Sequence, residues 1–152
     1  MRHVCIVGGG SALAQHLIGY YSSEGYRVTA VCHKTPPVDP VESNVKVMMG
    51  VDMSLPWCAA RLSDLDPINI LITLTGAVAN AKLTDMTQKQ WHSVINANLT
   101  SVYQALRYGI PLIEHGNIVV VGSIVGSAGG YGCANYAAAK AGLEGLVHAA
   151  AN

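Results

Sequence analysis

Short apolar runs alternate with helical patterns along the whole chain, and this order restricts the fold more than any other feature of the sequence. The runs predict strands at residues 4–7, 28–32, 45–49, 68–73 and 118–123. They are apolar without alternation, as in strands whose two faces are both covered by helices. The order therefore predicts an α/β fold with a doubly wound parallel sheet and right-handed crossovers. In such a sheet, ligands bind beyond the carboxyl ends of the strands.

Helical patterns follow the first and third predicted strands. The pattern at 11–25 predicts a helix that ends at a glycine. Its apolar face is formed by Leu13, Leu17, Ile18 and Tyr21. A second helix is predicted from near Pro56 to about Leu65, with Ser54 as a candidate cap. The proline-rich segment at 34–40 predicts a surface loop between the second and third predicted strands.

Two more helices are predicted on either side of the last strand. Thr87 and Gln90 form a capping-box pattern at the start of the first of them. The residues that this helix is expected to turn inward are Trp91, Ile95, Leu99 and Val102. Gly116-Asn117 then turns the chain into the last strand, and the final helix is predicted to begin near Asn135.

Composition excludes several classes of function. The 152 residues have a formal net charge of zero, which gives no indication of binding to nucleic acid or to an acidic membrane. No apolar stretch approaches the length of a membrane span, and the cysteines and histidines lack metal-ligand spacing. Cysteines within apolar runs indicate a reducing, cytoplasmic location. Because only 12% of the residues are charged, we expect other copies of the chain to cover part of the surface.

A glycine turn follows the first predicted strand, in VGGGSALA at 7–14. Gly8 and Gly10 would let backbone N–H groups approach a pyrophosphate at the start of a helix. The same kind of turn also occurs without a ligand, and Leu13 stands where the strict GxGxxG pattern has its third glycine. Ala14 is then the candidate for the small residue that allows close packing of helix and strand.

Polar residues also follow the second and third predicted strands. His33 and Lys34 stand where a site for NAD usually has an acidic residue, so they favour NADP(H). Lys34 could equally be a solvated loop residue. Asp52 could accept a hydrogen bond from an adenine amino group, or it could cap the helix that begins near Pro56.

Three polar residues are predicted to meet at the end of the last strand. Tyr136 and Lys140 are four residues apart on a helix and therefore lie on one face. Ser123 alone would be interpreted as a turn residue, but its combination with this pair in a weakly charged chain favours catalysis. Tyr131 could line a substrate cleft or pack its own loop.

These residues and their surroundings resemble the short-chain dehydrogenases/reductases, most closely the 3-oxoacyl-[acyl-carrier-protein] reductase-like members. The resemblance rests on the glycine turn at 8–14, on Asp52, on WHSVINANLTSVYQA at 91–105, and on VVVGSIVGSAGGYGCANYAAAKAGLEG at 119–145. It implies a Rossmann-like NAD(P)-binding domain over residues 1–152.

The resemblance also implies a role for each polar residue. Tyr136 would be the general acid, and Ser123 would hold the substrate carbonyl. Lys140 would bind the nicotinamide ribose and favour proton loss from Tyr136, while Asn98 would hold a water in a proton relay to Lys140. The implied cofactor-binding residues are Gly8, Gly10, Ser11, Leu13, His33, Lys34, Asp52, Met53, Thr75, Gly76, Tyr136 and Lys140.

The chain departs from the family pattern in three places. Thr73-Leu74-Thr75-Gly76 keeps only the glycine of the usual Asn-Asn-Ala-Gly, and Ala12 and Ala14 stand where glycines are usual. Family members also continue past the helix that carries Lys140, into further strands and a segment that covers the substrate. We interpret the chain as a C-terminally incomplete single domain of a longer polypeptide, with a shortened relative as the alternative.

The expected function is the NADP(H)-dependent reduction of a ketone or a 3-oxoacyl thioester to a secondary alcohol. A cofactor-binding or scaffold relative without turnover is the alternative; a nucleotide-sugar epimerase would need a separate sugar domain. The expected partners are a small-molecule carbonyl or acyl thioester and further copies of the chain, without nucleic acid or membrane. The helices at 91–112 and 135–151 are the implied contacts of a homodimer or homotetramer.

Overall fold

The computed structural model describes residues 1–37 and 42–152, and it contains one parallel sheet. Its strands are β1 His3–Val7, β2 Arg27–Val31, β3 Val45–Met48, β4 Ile70–Thr73 and β5 Asn117–Val120. They pair in the order β3-β2-β1-β4-β5, always in parallel. The predicted doubly wound α/β sheet is therefore confirmed.

Helices follow the strands on both faces of the sheet. They are α1 Ala12–Ser23, α2 Pro56–Ala59, α3 Gln88–Ile95, α4 Ser101–Gly109, α5 Ile124–Ala128 and α6 Ala134–Ala150. A π-helical turn at Asn96–Thr100 joins α3 to α4, and 3₁₀ turns occupy Ala60–Asp64 and Ile110–Leu112. The sequence does not predict α5, because its five residues include a glycine and are flanked by more glycines. Of the proline-rich segment at 34–40, residues 34–36 are exposed, and 38–40 lie outside the described residues.

The strands end level with one another at the carboxyl edge of the sheet. The register aligns their last residues in one row: Val7, Val31, Met48, Thr73 and Val120. The strand order reverses between β1 and β4, and this is the switch point at which such sheets open a crevice. The five loops that leave this row therefore start side by side.

The core lies on both sides of β1, whose residues are all buried. Cys5 and Val7 pack in a cluster with α2, α4 and α6, whereas Val4 and Ile6 pack in a second cluster with α1. Burying one large aliphatic side chain stabilises the folded state by about 1.5–3 kcal/mol, so these two layers supply most of the driving force. By contrast, β5 is an edge strand, and Val119 is 45% exposed.

The inward face of α1 differs from the prediction by one residue. Ala14 and Ile18, which are four residues apart, are buried in the same cluster as β1. Leu17 and Tyr21 pack against this cluster from its edge, but Leu13 is 53% exposed. The prediction that Leu13 faces inward is therefore wrong, because the helix turns the small side chain of Ala14 to the strand.

The helix predicted at 56–65 is divided between α2 and the following 3₁₀ turn. Ser54 does not cap it, because Leu55 occupies the N-cap position and makes no side-chain cap bond. The Ser54 hydroxyl instead donates to Asp52 Oδ1 at 2.7 Å. A carboxylate two residues away is a stronger acceptor, so Ser54 stabilises the turn before the helix.

The capping box at Thr87 and Gln90 is confirmed. Gln90 N–H donates to Thr87 Oγ1 at 3.2 Å, and Thr87 N–H donates to Gln90 Oε1 at 3.0 Å. The inward face beyond it differs from the prediction. Of the residues predicted to face inward, Val102 is buried, but Trp91, Ile95 and Leu99 are only half-buried. The wider π turn keeps positions 94, 98 and 102 in line against the core and moves 95 and 99 to the side.

Candidate active site

A cleft of about 650 Å³ opens beyond the carboxyl ends of the strands. This volume lies within the range of small-molecule sites. The predicted cofactor-binding residues that line it are Gly8, Gly10, Ser11, His33, Lys34, Asp52, Met53, Thr75 and Gly76. The structure thus brings together residues that are up to 68 positions apart, from 8 to 76 in sequence, because the five strands end level.

Backbone contacts alone fix the glycine turn. Gly8 has φ of 90°, and a Cβ there would lie 2.8 Å from the carbonyl carbon of Leu74. The N–H groups of Gly8 and Gly9 both donate to Val31 O at 3.0 Å. A Cβ on Gly10 would collide with the backbone oxygen of Thr35. The turn therefore requires glycine at these positions whether or not a ligand binds.

The start of α1 leaves backbone donors free at the cleft. Ser11 caps the helix and accepts from Ala14 N–H at 3.2 Å. Within residues 1–37 and 42–152, the N–H groups of Gly10 and Leu13 make no hydrogen bond. Leu13 does not line the cleft, and its predicted contact with a cofactor stays a prediction. Free N–H groups at a helix start suit a pyrophosphate, and this cradle fits the diphosphate of a dinucleotide.

Asp52 lies among groups that favour its charged form. Partial burial raises its pKa, but two hydrogen bonds from Ser54 and the nearby charges of His33 and Lys34 outweigh burial, so the pKa of Asp52 is lowered. Asp52 Oδ1 accepts from Ser54 N–H at 2.9 Å, and Oδ2 lies 3.9 Å from His33 Nε2. Asp52 therefore holds the turn before α2, and its second oxygen remains beside the cleft.

Asn98 lies in the π turn and is completely buried. Its Nδ2 donates to Ala77 O at 2.7 Å and to Val94 O at 2.9 Å. Its Oδ1 has no partner among the described residues, and a Cβ on Gly76 would lie 2.8 Å from that oxygen. This contact explains why the segment after β4 retains its glycine. The predicted water relay through Asn98 stays a prediction, and the unpaired Oδ1 gives it a free acceptor.

Tyr136 and Lys140 lie on successive turns of α6, as predicted. Lys140 Nζ lies 5.7 Å from the centre of the Tyr136 ring and donates to Val121 O at 2.8 Å, just beyond β5. Burial lowers the pKa of Lys140, because the ammonium is largely removed from water. The lysine is thus held beside Tyr136 by its burial and by one backbone carbonyl.

Ser123 caps α5 and accepts from Val125 N–H at 3.3 Å. Ser123 and Lys140 line a second cavity of about 250 Å³, between β5, α5 and α6. Neither this pair nor Tyr136 lines the larger cleft. The predicted site residues therefore form two groups. The cleft group consists of those that line the larger cleft, and the α6 group consists of Ser123, Tyr136 and Lys140.

The cleft is also lined by polar residues that the sequence does not reveal as site residues. Ser93, Asn96 and Ser101 lie along its α3–α4 side. Ser101 Oγ donates to Ala97 O at 2.7 Å and lies 2.7 Å from Thr75 Oγ1, so the Thr75 hydroxyl donates to Ser101. The π turn selects the residues that face the cleft, and no local sequence signal reveals a π turn. Tyr131 does not pack its loop, since it is 87% exposed.

The sequence predicts neither a metal site nor a membrane-spanning helix. No group of three or more His, Cys, Asp or Glu side chains within it is arranged to hold a metal ion. No helix in residues 1–37 and 42–152 is long and apolar enough to cross a membrane.

Comparison with known proteins identifies one family. The family model described as short chain dehydrogenase matches residues 2–152. Acetoacetyl-CoA reductase of Allochromatium vinosum is 29% identical over 168 aligned residues, which include 99% of this chain and 68% of that protein. The 3-oxoacyl-[acyl-carrier-protein] reductase MabA of Mycobacterium tuberculosis is 32% identical over 161 residues, with 99% of this chain and 62% of the relative covered.

Two further matches cover different fractions of this chain. The 3-oxoacyl-[acyl-carrier-protein] reductase FabG of Escherichia coli is 37% identical over 87 residues, which are 55% of this chain and 36% of that protein. The crystal structure of serine dehydrogenase from Escherichia coli superposes with a TM-score of 0.85 at 20% identity, covering 95% of this chain and 72% of that one. The last likeness supports the fold alone. The chain thus spans about two thirds or less of the curated relatives that it matches.

Proposed function

Because the chain belongs to the short chain dehydrogenase family, we propose that it reduces a ketone or a 3-oxoacyl thioester to the secondary alcohol with NADP(H). One observation carries this proposal. The buried ammonium of Lys140 is held 5.7 Å from the Tyr136 ring, at the same edge of the sheet as the glycine turn. The named relatives that are reductases of acetoacetyl-CoA and 3-oxoacyl groups support this substrate class.

The cleft supplies the parts that a nicotinamide dinucleotide needs. The free N–H groups of Gly10 and Leu13 would hold the diphosphate, and Thr75 and Gly76 would contact the middle of the cofactor. When bound, the nicotinamide supplies the hydride, which no side chain can supply. The protein's own contribution is to bind, to orient and to move a proton.

Tyr136 is the proposed proton donor to the substrate carbonyl oxygen. A phenol donates its proton more readily when a nearby group favours the charged form left behind. Lys140 would have this role, since its ammonium lies 5.7 Å from the centre of the Tyr136 ring and would attract the phenolate. Ser123 would hold the carbonyl, and Asn98 would supply an acceptor for a water that returns protons to Lys140.

His33 and Lys34 support the preference for NADP(H). Both are exposed beside the cleft, and the segment offers no acidic side chain for the ribose hydroxyls directly after β2. We therefore propose that this pair binds the 2′-phosphate. Asp52 remains available for the adenine amino group through Oδ2, which faces His33.

The first experiment is a side-by-side fluorescence titration with NADPH and NADH, followed by assays with ketones and acyl thioesters. Tighter binding of NADPH, and loss of this preference in the His33→Ala/Lys34→Ala double variant, are expected. An unchanged ratio of dissociation constants would remove both residues from the proposed site. Cofactor binding without turnover of any substrate would favour the non-catalytic alternative.

We also propose that the protein forms homodimers or homotetramers in the cytoplasm. Tyr103, Ile110 and Val147 leave apolar surface exposed on the chain's longest helical segments, at 91–112 and 135–151. Cys5, Cys32 and Cys58 are buried free thiols, as suits a reducing compartment. Light scattering after size exclusion should give a multiple of the 15.9 kDa chain mass. A monomer at all concentrations would contradict the oligomer.

A further inference from the structure

Residues 77–81, here called the strap, connect β4 toward α3 and lie against the start of α6. In the strap, every second residue makes a backbone hydrogen bond with another part of the protein. Asn98 Nδ2 donates to Ala77 O at 2.7 Å, Asn135 Nδ2 donates to Ala79 O at 3.0 Å, and Ala81 N–H donates to Gly132 O at 2.9 Å. Bonds at every second residue are typical of an extended chain, in which successive residues point to opposite sides. The backbone groups of residues 77, 79 and 81 therefore point toward the rest of the protein. On the other side, Val78 is 68% exposed.

Asn135 holds the strap to two helices at once. The residue is completely buried, and all of its side-chain polar groups are used. Its Nδ2 donates to Ala79 O of the strap at 3.0 Å and to Gln90 O of α3 at 3.2 Å. Its Oδ1 accepts from Tyr136 N–H at 2.8 Å. One amide therefore joins the strap, α3 and the residue that we place at the proton transfer.

The hydrogen bond to Tyr136 satisfies a donor that the helix leaves free. The first N–H groups of an α-helix have no partner within the helix. Cys133, at the N-cap position of α6, makes no side-chain cap bond, and the first backbone bond runs from Ala137 N–H to Cys133 O at 2.8 Å. Tyr136 N–H precedes that bond, so Asn135 Oδ1 is its acceptor.

We propose that Asn135 is a positioning residue, which fixes the backbone of Tyr136 relative to the strap and to α3. This inference rests on the proposed function of Tyr136 as the proton donor. The strap begins directly after Gly76 at the cleft, and Asn98 holds its first residue. Asn135 therefore joins the strap, which begins at the edge of the cleft, to the start of α6. Within the described residues, no other side chain makes a hydrogen bond between the strap and α6.

The test compares Asn135→Ala with Asn44→Ala. Asn44 also makes three side-chain hydrogen bonds: Nδ2 donates to Ser22 O at 3.0 Å and to Tyr26 O at 2.9 Å, and Oδ1 accepts from Ser22 Oγ at 2.7 Å. These bonds join the end of α1 and the residue before β2 to the turn before β3, away from the cleft. The two substitutions therefore remove equal numbers of bonds, and only one of them touches Tyr136.

Both variants are assayed well below their unfolding midpoints, and amide hydrogen exchange of the cofactor-free protein is measured. For Asn135→Ala, kcat should fall at least ~10-fold, since a misplacement of about 1 Å can cost ~100-fold. The KM for NADPH should stay within ~2-fold, because the cleft is unchanged. Exchange at Tyr136 N–H should accelerate. Asn44→Ala should lower the unfolding midpoint but leave kcat and the exchange at Tyr136 unchanged.

Several results would overturn the inference. Retention of kcat by Asn135→Ala, with a stability loss like that of Asn44→Ala, would reduce Asn135 to a structural residue. If the alanine variant does not fold, Asn135→Asp keeps the side-chain size and the acceptor for Tyr136 N–H but loses both donors; unchanged kcat would then refute the role. A wild-type chain that reduces no ketone would instead refute the proposed function, while unchanged exchange at Tyr136 in Asn135→Ala would separately refute the link.

Discussion

The two halves of the candidate site are built in different ways. Around β1 and β2, the strands are buried, and the glycine turn is fixed by backbone bonds and by the lack of room for any Cβ. Around β5, the strand is exposed, and Tyr136 is placed by side chains, through the bonds of Asn135 and Lys140. In the first half, the glycine turn is held mainly by its backbone, and Ser11 adds a side-chain cap to α1. The second half depends on a few side-chain bonds, so single substitutions there should affect function more than stability.

The strongest test of this difference is Tyr136→Phe. The substitution removes only a hydroxyl, and a general acid contributes about 10²–10⁴-fold, so ketone reduction should fall by that factor. NADPH binding should remain nearly unchanged, because Tyr136 does not line the cleft. Steady-state kinetics and a fluorescence titration would measure the two effects. Tyr20→Phe, on the exposed face of α1, is the matched control. Undiminished turnover by Tyr136→Phe would remove the catalytic assignment.

Lys140→Ala should produce the next largest effect and should change both rate and affinity. The substitution removes the charge beside Tyr136 and the bond to Val121 O at the end of β5. We expect kcat to fall by roughly 10²-fold. We also expect the NADPH dissociation constant to rise, because the family resemblance implies that Lys140 binds the nicotinamide ribose, and a charged hydrogen bond contributes ~1.5–3 kcal/mol. The exposed Lys89 of α3 provides the control substitution. A change in rate alone would restrict Lys140 to proton transfer.

Gly10→Ala tests the backbone-built half. The added Cβ would collide with the Thr35 carbonyl, so the loop after β2 must move away from the turn. NADPH binding should weaken by about tenfold, and unfolding should become easier by ~1–3 kcal/mol, as for other overpacked sites. Gly19→Ala is the matched control on α1, where no atom lies within 4 Å of an added Cβ. That control should stabilise the protein by ~0.5–1 kcal/mol, because glycine is unfavourable within a helix.

The smallest effect concerns His3, at the opposite end of the sheet. Its Nε2 lies 2.8 Å from Thr29 Oγ1, and its Nδ1 lies 3.1 Å from Pro67 O. Burial, and then the Arg27 charge, lower the pKa of His3 below its ordinary value of about 6.5. The folded state therefore binds this proton less tightly than the unfolded state, and stability should fall as the pH drops below about 6.5.

Urea unfolding at two pH values, one on each side of the ordinary histidine value, would measure this loss. His3→Gln should reduce the pH dependence, whereas the exposed His16→Gln should leave it unchanged. If stability is equal at both pH values, the protonation of His3 has no influence on folding. Catalysis should respond less than stability, because His3 is at the amino end of β1 and the cleft is at the carboxyl end.

The sequence predicts what is local or periodic. The capping box of Thr87 and Gln90, the order of strands and helices, and the pairing of Tyr136 with Lys140 on one face all follow from spacing. The periodicity cannot place Leu13, because Leu13 and Ala14 both fit an inward face, and only the distance to β1 decides between them.

The site was predicted less completely than the fold. The π turn, which orients Asn98 and Ser101, packs against α6, and no local pattern encodes it. The sequence marks Asn135 only as the start of a helix, because its partners Ala79 and Gln90 are 56 and 45 residues away. Residues that act through distant backbone atoms leave no signal in their own neighbourhood.

The level ends of the strands also bear on how such a protein can be altered. Val7, Val31, Met48, Thr73 and Val120 share one row, and every loop of the cleft leaves from it. A change within one loop therefore leaves the pairing of the row intact. The proposed cofactor preference, in the loop after β2, and the proposed positioning of Tyr136, through the strap, could in this way be exchanged as separate modules. An engineer could recombine them between relatives without redesigning the core.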